Sequence, residues 1–367
     1  MSDIAIRPAW TFTNGRGESV DPQLFALLRE IRLARKLTVA ARAARLSYRH
    51  AWNLVKRWEQ FFGVPLVILE RGRGAHLSPL GEKLLWCEQR AHARLGPQLE
   101  SLASELNLEI GLALSTTEPV IRLHASHGFA VAQLPALIKT HTRLQLDLQY
   151  RGSIDALVSL SQGGCDIAGF HVPEGPLAQR VFASYASQID RRQHRIIHLV
   201  RRTQGLMLMP GNPLRITSLA DLARPGVRFV NRQPGSGTRL LLDELLADLK
   251  LAPTAIHGYR TEEFTHAAVA AFVASGMADA GFGVQAAADQ FKLDFQPVAT
   301  ERYLLLLRAD ALEQPACRTL LELIRSPAFA QAIVPLAGYD SENAGTVLTV
   351  DAAFPWLGAA GKAVRAE

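Results

Sequence analysis

Cysteine is scarce. Cys87, Cys165 and Cys317 are the three in 367 residues, and none has a second cysteine within metal-ligand spacing. That excludes a disulfide scaffold and a zinc ribbon, and it suits a reducing compartment. No run of about 18 apolar residues is free of charge, so no membrane span is expected. The opening stretch MSDIAIRPAW lacks the apolar core of a secretory signal, and the expected location is the cytoplasm. Net charge is missing from most of the chain: residues 108–367 carry 24 Lys+Arg against 24 Asp+Glu. The stretch Gly235-Ser236-Gly237-Thr238-Arg239 lacks the Gly-Lys-Ser/Thr ending of a nucleotide P-loop and is no dinucleotide fingerprint. Pro234-Gly235-Ser236-Gly237-Thr238 has the wrong spacing for a nucleophile elbow. A hydrolase built on Ser236 or Ser126 would need a local base and acid that no motif supplies, so the chain is not expected to be an enzyme. No catalytic, metal or cofactor residue is assigned.

What is present is ample for folding. Hydrophobic residues make up 48% and charged residues 20%, which excludes a disordered chain, a collagen and a rod. The length suggests two or three domains. All of the net +6 sits in residues 1–107, which hold 16 Lys+Arg and 10 Asp+Glu. A basic head on a neutral body is a handle for a polyanion, nucleic acid first, or else a solvated basic face.

Within that head, Trp10-Thr11-Phe12 reads as a strand and Asn14-Gly15 with Gly17 as a hairpin turn. Asp21 caps a first helix with Pro22 at its first position, and Leu24, Leu27, Leu28 and Ile31 form its apolar face. Thr38 is expected to cap a short second helix whose inner face is Val39, Ala40, Ala43 and Ala44. Ser47 caps a third, which turns Ala51, Leu54, Val55, Trp58 and Phe61-Phe62 inward. This order is that of a helix-turn-helix. Its outward residues are Tyr48, Arg49, His50, Asn53, Lys56 and Arg57; Arg49, His50 and Asn53 can reach base edges, and Lys56 and Arg57 are better placed for phosphates. Val64 to Leu69 then reads as a strand, Glu70 to Ala75 as a glycine turn carrying Arg71 and Arg73, and His76-Leu77-Ser78 as the return: a basic wing.

Ser78-Pro79 opens a long helix that Gly96-Pro97 should kink or break. Its leucine stripe, with Leu84, Ala91 and Leu95, is expected to meet a second copy of the chain.

Asp21 to Phe62, followed by VPLVILERGRGAHLSPLGEKLL, resembles the winged helix of LysR-type and ModE-type bacterial regulators over about residues 18–106. The resemblance implies promoter DNA as a partner and a homo-oligomer, dimer or tetramer, joined through the linker helix.

Beyond Leu108, strands are expected at Leu108–Leu114, Ile121–Ala125, Leu144–Tyr150, Asp166–Phe170, Leu206–Met209 and Val227–Val230. Helices are expected at Phe129–Lys139, Ser153–Ser161, Thr238–Lys250, Thr265–Ser275 and Ala316–Ile324. The alternation argues an α/β domain with parallel strands, in two lobes around a cleft. Three strand ends run into helix starts that bear hydroxyls: Ser126-His127-Gly128, Arg151-Gly152-Ser153, and Asn231 to Arg239. A helix N-terminus offers free N–H groups and about half a positive charge to an anion. A plain N-cap is the commoner use of such a serine.

The stretches from Gly163 to His171, from Val230 to Leu246 and from Thr261 to Ala288 resemble the periplasmic-binding-protein-like sensor domain of some bacterial regulators, over roughly 108–340. In relatives, tungstate and molybdate receptors among them, matching positions hold a small oxyanion. Carried over, the resemblance implies Ser126, His127, Ser153, His171, Arg232, Ser236, Gly237, Thr238 and Thr265 as effector contacts. Gly128 departs from relatives that carry an acidic residue there. The expected organisation is therefore a winged helix-turn-helix (1–78), a linker helix (79–107), a two-lobed α/β effector domain (108–342) and a tail (343–367). The expected function is a DNA-binding regulator answering to molybdate, tungstate or formate, with a small-anion binding protein lacking a promoter role as the alternative. Regulators of this layout accompany molybdenum-enzyme operons, formate dehydrogenase among them.

Overall fold

The computed structural model describes residues 4–12, 18–70, 74–113 and 118–357. The chain divides into two compact units, Arg7–Gly96 and Pro97–Glu367 with Met1–Ile6.

The first unit contains β1 (Thr11–Phe12), β2 (Glu18–Ser19), α1 (Pro22–Ala34), α2 (Leu37–Ala43), α3 (Tyr48–Phe62), β3 (Val67–Glu70), β4 (Gly74–Leu77) and the first part of α4 (Pro79–Ala113). The Asp21 side chain accepts the amide of Gln23, and Pro22 sits in the first turn of α1, as expected. The start of α2 differs. Lys36 precedes Leu37 without a side-chain cap, and Thr38 lies inside the helix. Its buried face is Leu37, Ala40 and Ala41, and Val39 is exposed, because the helix begins two residues earlier. The Ser47 hydroxyl accepts the amide of His50, which starts α3 and turns Ala51, Leu54, Val55 and Trp58 into the core, with Phe61 and Phe62 half-buried. Strands β3 and β4 pair antiparallel from Val67↔Leu77 to Glu70↔Gly74. A Cβ on Gly74 would stand 2.2 Å from the Arg35 carbonyl oxygen, so only glycine lets β4 run against the end of α1. Asn14, Gly15, Gly17, Arg71 and Arg73 lie outside the described residues.

Helix α4 overturns two expectations. It passes through Pro97 without ending, and it continues over Leu108–Ala113, where a strand was expected. Ala103 and Gly111 are buried eight residues apart and Ser104 faces the sheet, which is helical spacing; the alternation of Leu106, Leu108 and Ile110 misleads. Leu84 corrects a third: it and Leu85 are buried in the first unit's own core with Trp58, Leu54 and Leu66.

The second unit continues with β5 (Val120–Ala125), α5 (Leu134–His141), β6 (Gln145–Tyr150), α6 (Ser153–Ser161), β7 (Ile167–Pro173), α7 (Ala178–Ala183), β8 (His194–Leu208), β9 (Phe229–Arg232), α8 (Gly237–Asp248) and β10 (Glu262–Glu263). It closes with α9 (His266–Ala274), β11 (Ala280–Val284), α10 (Gln285–Gln290), β12 (Asp294–Arg308), α11 (Pro315–Arg325), α12 (Pro327–Ile333), β13 (Tyr339–Asp340), β14 (Val347–Thr349) and α13 (Val350–Ala353). The strands form one sheet in the order β10-β9-β11-β8-β12-β7-β5-β6, with β13 and β14 also paired to β8.

This sheet is mixed, not parallel. β6-β5-β7 and β11-β9-β10 are parallel sets, but β8 and β12 run antiparallel to each other along nearly their whole length. β12 then joins β7 through Glu301–Leu307, and β8 joins β11 through Gln204–Leu208. Two half-sheets with separate apolar cores thus share two 15-residue strands. The expected Leu206–Met209 strand is the end of one of them. A continuous apolar-polar mixture such as His194–Leu208 carries no period that marks it as a single long strand, since it crosses from one lobe to the other. The start of α5 also corrects an expectation: a 3₁₀ turn at Val131–Gln133 precedes it, so Ser126 does not open a helix. The tail packs back as far as it is described: Val347–Thr349 pair with β8, and Phe354 is buried against Phe182.

Candidate functional site

The parallel strands of both half-sheets end at the same place, where β8 and β12 cross from one lobe to the other. In an open α/β sheet this is where ligands gather, because strand ends deliver helix N-termini there. Ser126 follows β5, Ser153 opens α6 after β6, and His171 lies on β7. Arg232 ends β9, Gly237 and Thr238 open α8, and Thr265 and His266 open α9. All but the half-buried His127 are buried.

These residues touch across the lobes. A Cβ on Gly237 would lie 3.2 Å from His171 Nδ1 and 3.3 Å from Ser153 Oγ; a Cβ on Gly152 would lie 3.2 Å from the Gly235 carbonyl. Glycine at 237 therefore lets the start of α8 close onto β7 and α6. The His171 ring bridges two serines, with Nδ1 3.1 Å from Ser153 Oγ and Nε2 3.4 Å from Ser126 Oγ. Tyr303 stacks edge-on against it at 4.0 Å and donates its hydroxyl to the Ser126 carbonyl at 2.9 Å. His127 stands edge-on to Tyr150 at 4.9 Å.

The hydroxyls divide by use. Ser236 is an N-cap: its Oγ donates to the Gln233 carbonyl and accepts the Arg239 amide, so it has little left for a ligand. Thr265 caps α9 by accepting the Ala268 amide. Thr238 Oγ1 accepts from Gln204 at 3.0 Å and keeps its own proton to donate. The first-turn amides of α8 have no intrahelical acceptor.

Three site residues escaped the sequence reading: Arg202, Gln204 and Glu301. Arg202 Nε donates to Glu301 Oε1 at 2.5 Å, and Gln204 Nε2 donates to the same oxygen at 2.7 Å while also reaching Thr238. Burial opposes the Arg202 cation, but Glu301 outweighs it and holds the guanidinium above its ordinary range. One Arg202 nitrogen, Nη1, has no hydrogen-bond partner among the described residues, and a Cβ on Gly128 would stand 3.2 Å from it. The available signal was two adjacent arginines inside an apolar run, HRIIHLVRRTQGLMLM, opposite a lone Glu301 ahead of YLLLL.

Arg232 is a second buried cation. It donates to Gln233 and to the Phe264 carbonyl, and the Arg239 side chain holds its backbone carbonyl at 3.0 Å. Arg239 itself pairs with Asp243 at 3.1 Å, a turn along α8. Among the described residues no carboxylate lies within ion-pair distance of Arg232. Burial, reinforced by Arg202, pushes its guanidinium down to about 9. Burial also holds His171 and His266 well below the ordinary imidazole value, with Arg202 and Arg232 adding to it. Within the cluster Arg202 is paired with Glu301, burial disfavours the charged forms of His171 and His266, and Arg232 is a cation without an ion-paired carboxylate among the described residues. No group of His, Cys, Asp and Glu among the described residues could hold a metal ion.

The second candidate face belongs to the first unit. Ser47, Tyr48, Arg49, His50, Asn53, Lys56 and Arg57 are all exposed along α3. Lys56 pairs with Glu59 at 2.7 Å, Arg57 lies 3.6 Å from Glu18, and His50 meets Gln23 at 3.2 Å. Glu59 also accepts the amides of Leu66 and Val67; burial works against its charge, but Lys56 and these amides outweigh it and hold the carboxyl below its usual range. Arg49 and Asn53 make no ion pair or side-chain hydrogen bond among the described residues, which leaves them open to a partner.

Residues 135–325 match the family described as "PBP superfamily domain". An uncharacterized protein of Bacillus subtilis (strain 168), YvgK, is 34% identical over 202 residues, which are 54% of this chain and 64% of that protein. An uncharacterized protein in the ferredoxin 2Fe-2S gene 5′ region of Clostridium pasteurianum is 37% identical over 111 residues, 30% of this chain and 98% of that one. Among solved structures, a cysteine mutant of Corynebacterium glutamicum OxyR is 17% identical with a TM-score of 0.43, covering 86% of this chain and 94% of its own.

Proposed function

We propose, since the chain belongs to the PBP superfamily domain family, that it is a DNA-binding transcriptional regulator whose second unit closes on a small anion. The observation that carries the reading is Arg232: a buried guanidinium without a carboxylate, set among hydroxyls and the amides at the start of α8. A buried charge left uncompensated costs several kcal/mol. An anion in this cluster supplies the missing partner, and it does so in contact with both lobes, so it favours the closed arrangement over an open one. Molybdate, tungstate and formate are the candidate effectors, and a molybdenum-dependent formate dehydrogenase operon is the candidate target.

The first unit reads as a winged helix-turn-helix: three helices, an antiparallel ribbon, and a third helix whose outer face offers Arg49 and Asn53 to base edges. A pair of such heads requires a homo-oligomer. Leu102, Leu106 and Ile110 on α4 are exposed apolar side chains at helical spacing, and we place the contact between copies there rather than at Leu84.

The site is tested by calorimetric titration of sodium molybdate, sodium tungstate and sodium formate into wild type and a Ser153→Ala, Thr238→Val variant. Each hydroxyl lost from a charged acceptor costs about 1.5–3 kcal/mol. The double variant is expected to lose most of the binding. Equal affinity in both proteins refutes the site.

A further inference from the structure

His171 has a use that a simple anion site does not require. Its two ring nitrogens face two different serine hydroxyls, Ser153 at Nδ1 and Ser126 at Nε2. A neutral imidazole owns one N–H and one lone pair. One serine must therefore give its only proton to the ring and turn lone pairs toward whatever else approaches. The other receives the ring N–H and keeps its proton. A protonated ring has two N–H groups. It donates to both serines, and both hydroxyl protons become free for a ligand.

The charge balance points the same way. Arg232 is a buried cation without an ion-paired carboxylate among the described residues, and a proton on His171 adds a second positive charge near it. The groups that face the ring are Arg202 on β8, Arg232 on β9, His266 on α9 and Tyr303 on β12, with Ser153 and Ser126 in direct contact. Without a ligand, the two arginines and burial keep the ring neutral. A dianion beside them reverses the sign of the local field.

We propose that the cluster takes a doubly charged tetrahedral oxyanion together with one proton from solvent, and that the proton resides on His171, which thereby turns Ser126 and Ser153 into two hydroxyl donors. This rests on the reading of the cluster as an anion site and adds to it the charge of the ligand and a proton in the binding step. A monoanion such as formate is balanced by Arg232 alone and needs no proton.

The test is calorimetric titration of sodium molybdate into the full chain at pH 7.5, in HEPES and in Tris, whose ionisation enthalpies differ. The slope of apparent enthalpy against buffer enthalpy counts protons. Wild type is expected to take up close to one proton per molybdate, and its affinity is expected to fall about tenfold per pH unit above neutrality. His198→Gln, at a buried histidine of β8 outside the cluster, is expected to keep the uptake, and His171→Gln to lose it. Should His171→Gln fail to fold, the wild-type proton count and pH slope still decide. Molybdate binding without proton uptake overturns the proposal and leaves the anion site standing, as does formate binding where molybdate does not bind. Uptake that survives His171→Gln overturns the assignment to that residue. No binding of any of these anions overturns the anion site as well.

Discussion

Arg232 sets the energetics of the second unit at the scale of single residues. It is buried, short of a carboxylate, and pushed down to about 9 by burial and by Arg202. Replacing it with an apolar side chain of similar length removes the cost together with the cation on which the proposed anion site depends. Arg232→Met is expected to stabilise the ligand-free protein by about 1–3 kcal/mol and to weaken anion binding by about 2–5 kcal/mol. Thermal unfolding in anion-free buffer and calorimetry check the two halves; a variant less stable than wild type that still binds molybdate contradicts both. Ser236, Gly237 and Thr238 were legible in the sequence because cap and turn chemistry is local, whereas Arg232 was implied only by the family resemblance. The same locality hid what Ser236 does, since a capping serine and a ligand serine look alike until the Gln233 carbonyl and the Arg239 amide are seen on its oxygen. Arg202 and Glu301 were not legible. They stand 99 residues apart, and only the register of β8 against β12 brings them together.

Elements were read well where one period governs them and poorly where two compete. Helix α6 was expected at Ser153–Ser161 and is found there, because its apolar face and its glycine lead-in agree. At the end of α4 the alternation of Leu106, Leu108 and Ile110 mimics a strand, while the burial of Ala103 and Gly111 follows the helix. The corrected place of Leu84 moves the expected contact between copies along α4. Leu102→Glu with Leu106→Glu changes exposed side chains and is expected to split the oligomer while leaving each chain folded; an unchanged sedimentation coefficient argues against a seam on this helix. Leu84→Glu, by contrast, puts a charge in the first unit's core and is expected to unfold that unit. On α3, Arg49→Ala is expected to weaken specific DNA binding by about 1–3 kcal/mol, the worth of one base contact. Lys56→Ala is expected to do less, because Lys56 already pairs with Glu59. Gel-shift titration ranks the two, and the reverse order would reassign the face.

At the scale of the whole molecule, the two long strands make the second unit one sheet with two cores, and the site sits where they cross. Alternating strand and helix signals disclosed the two lobes but not the mixed sheet, since strand direction is set by pairing partners far along the chain. The buried histidines give the molecule a pH signature. His171 and His266 are held well below the ordinary value, burial first and the two arginines after it, so the folded state keeps them neutral while the unfolded chain takes up protons below about pH 6.5. The stability they allow is complete above that pH and is lost as pH falls below it. The ligand-free melting temperature is expected to drop between pH 7.5 and pH 5.5, and a His171→Gln, His266→Gln variant to drop less. The remaining decline belongs in part to His124, His194 and His198, which burial also holds low.

The proposed regulator couples an anion in one unit to DNA on the other, and one titration reads both. Fluorescence anisotropy of a labelled fragment from the DNA upstream of the chain's own reading frame, titrated with the full chain with and without saturating molybdate, measures the coupling directly. The expected result is DNA binding that weakens with salt, a shift of the curve by molybdate, and loss of that shift, but not of DNA binding, in Arg232→Met. Curves that superpose with and without molybdate, tungstate and formate, or a chain that does not bind the fragment at low salt, would contradict it.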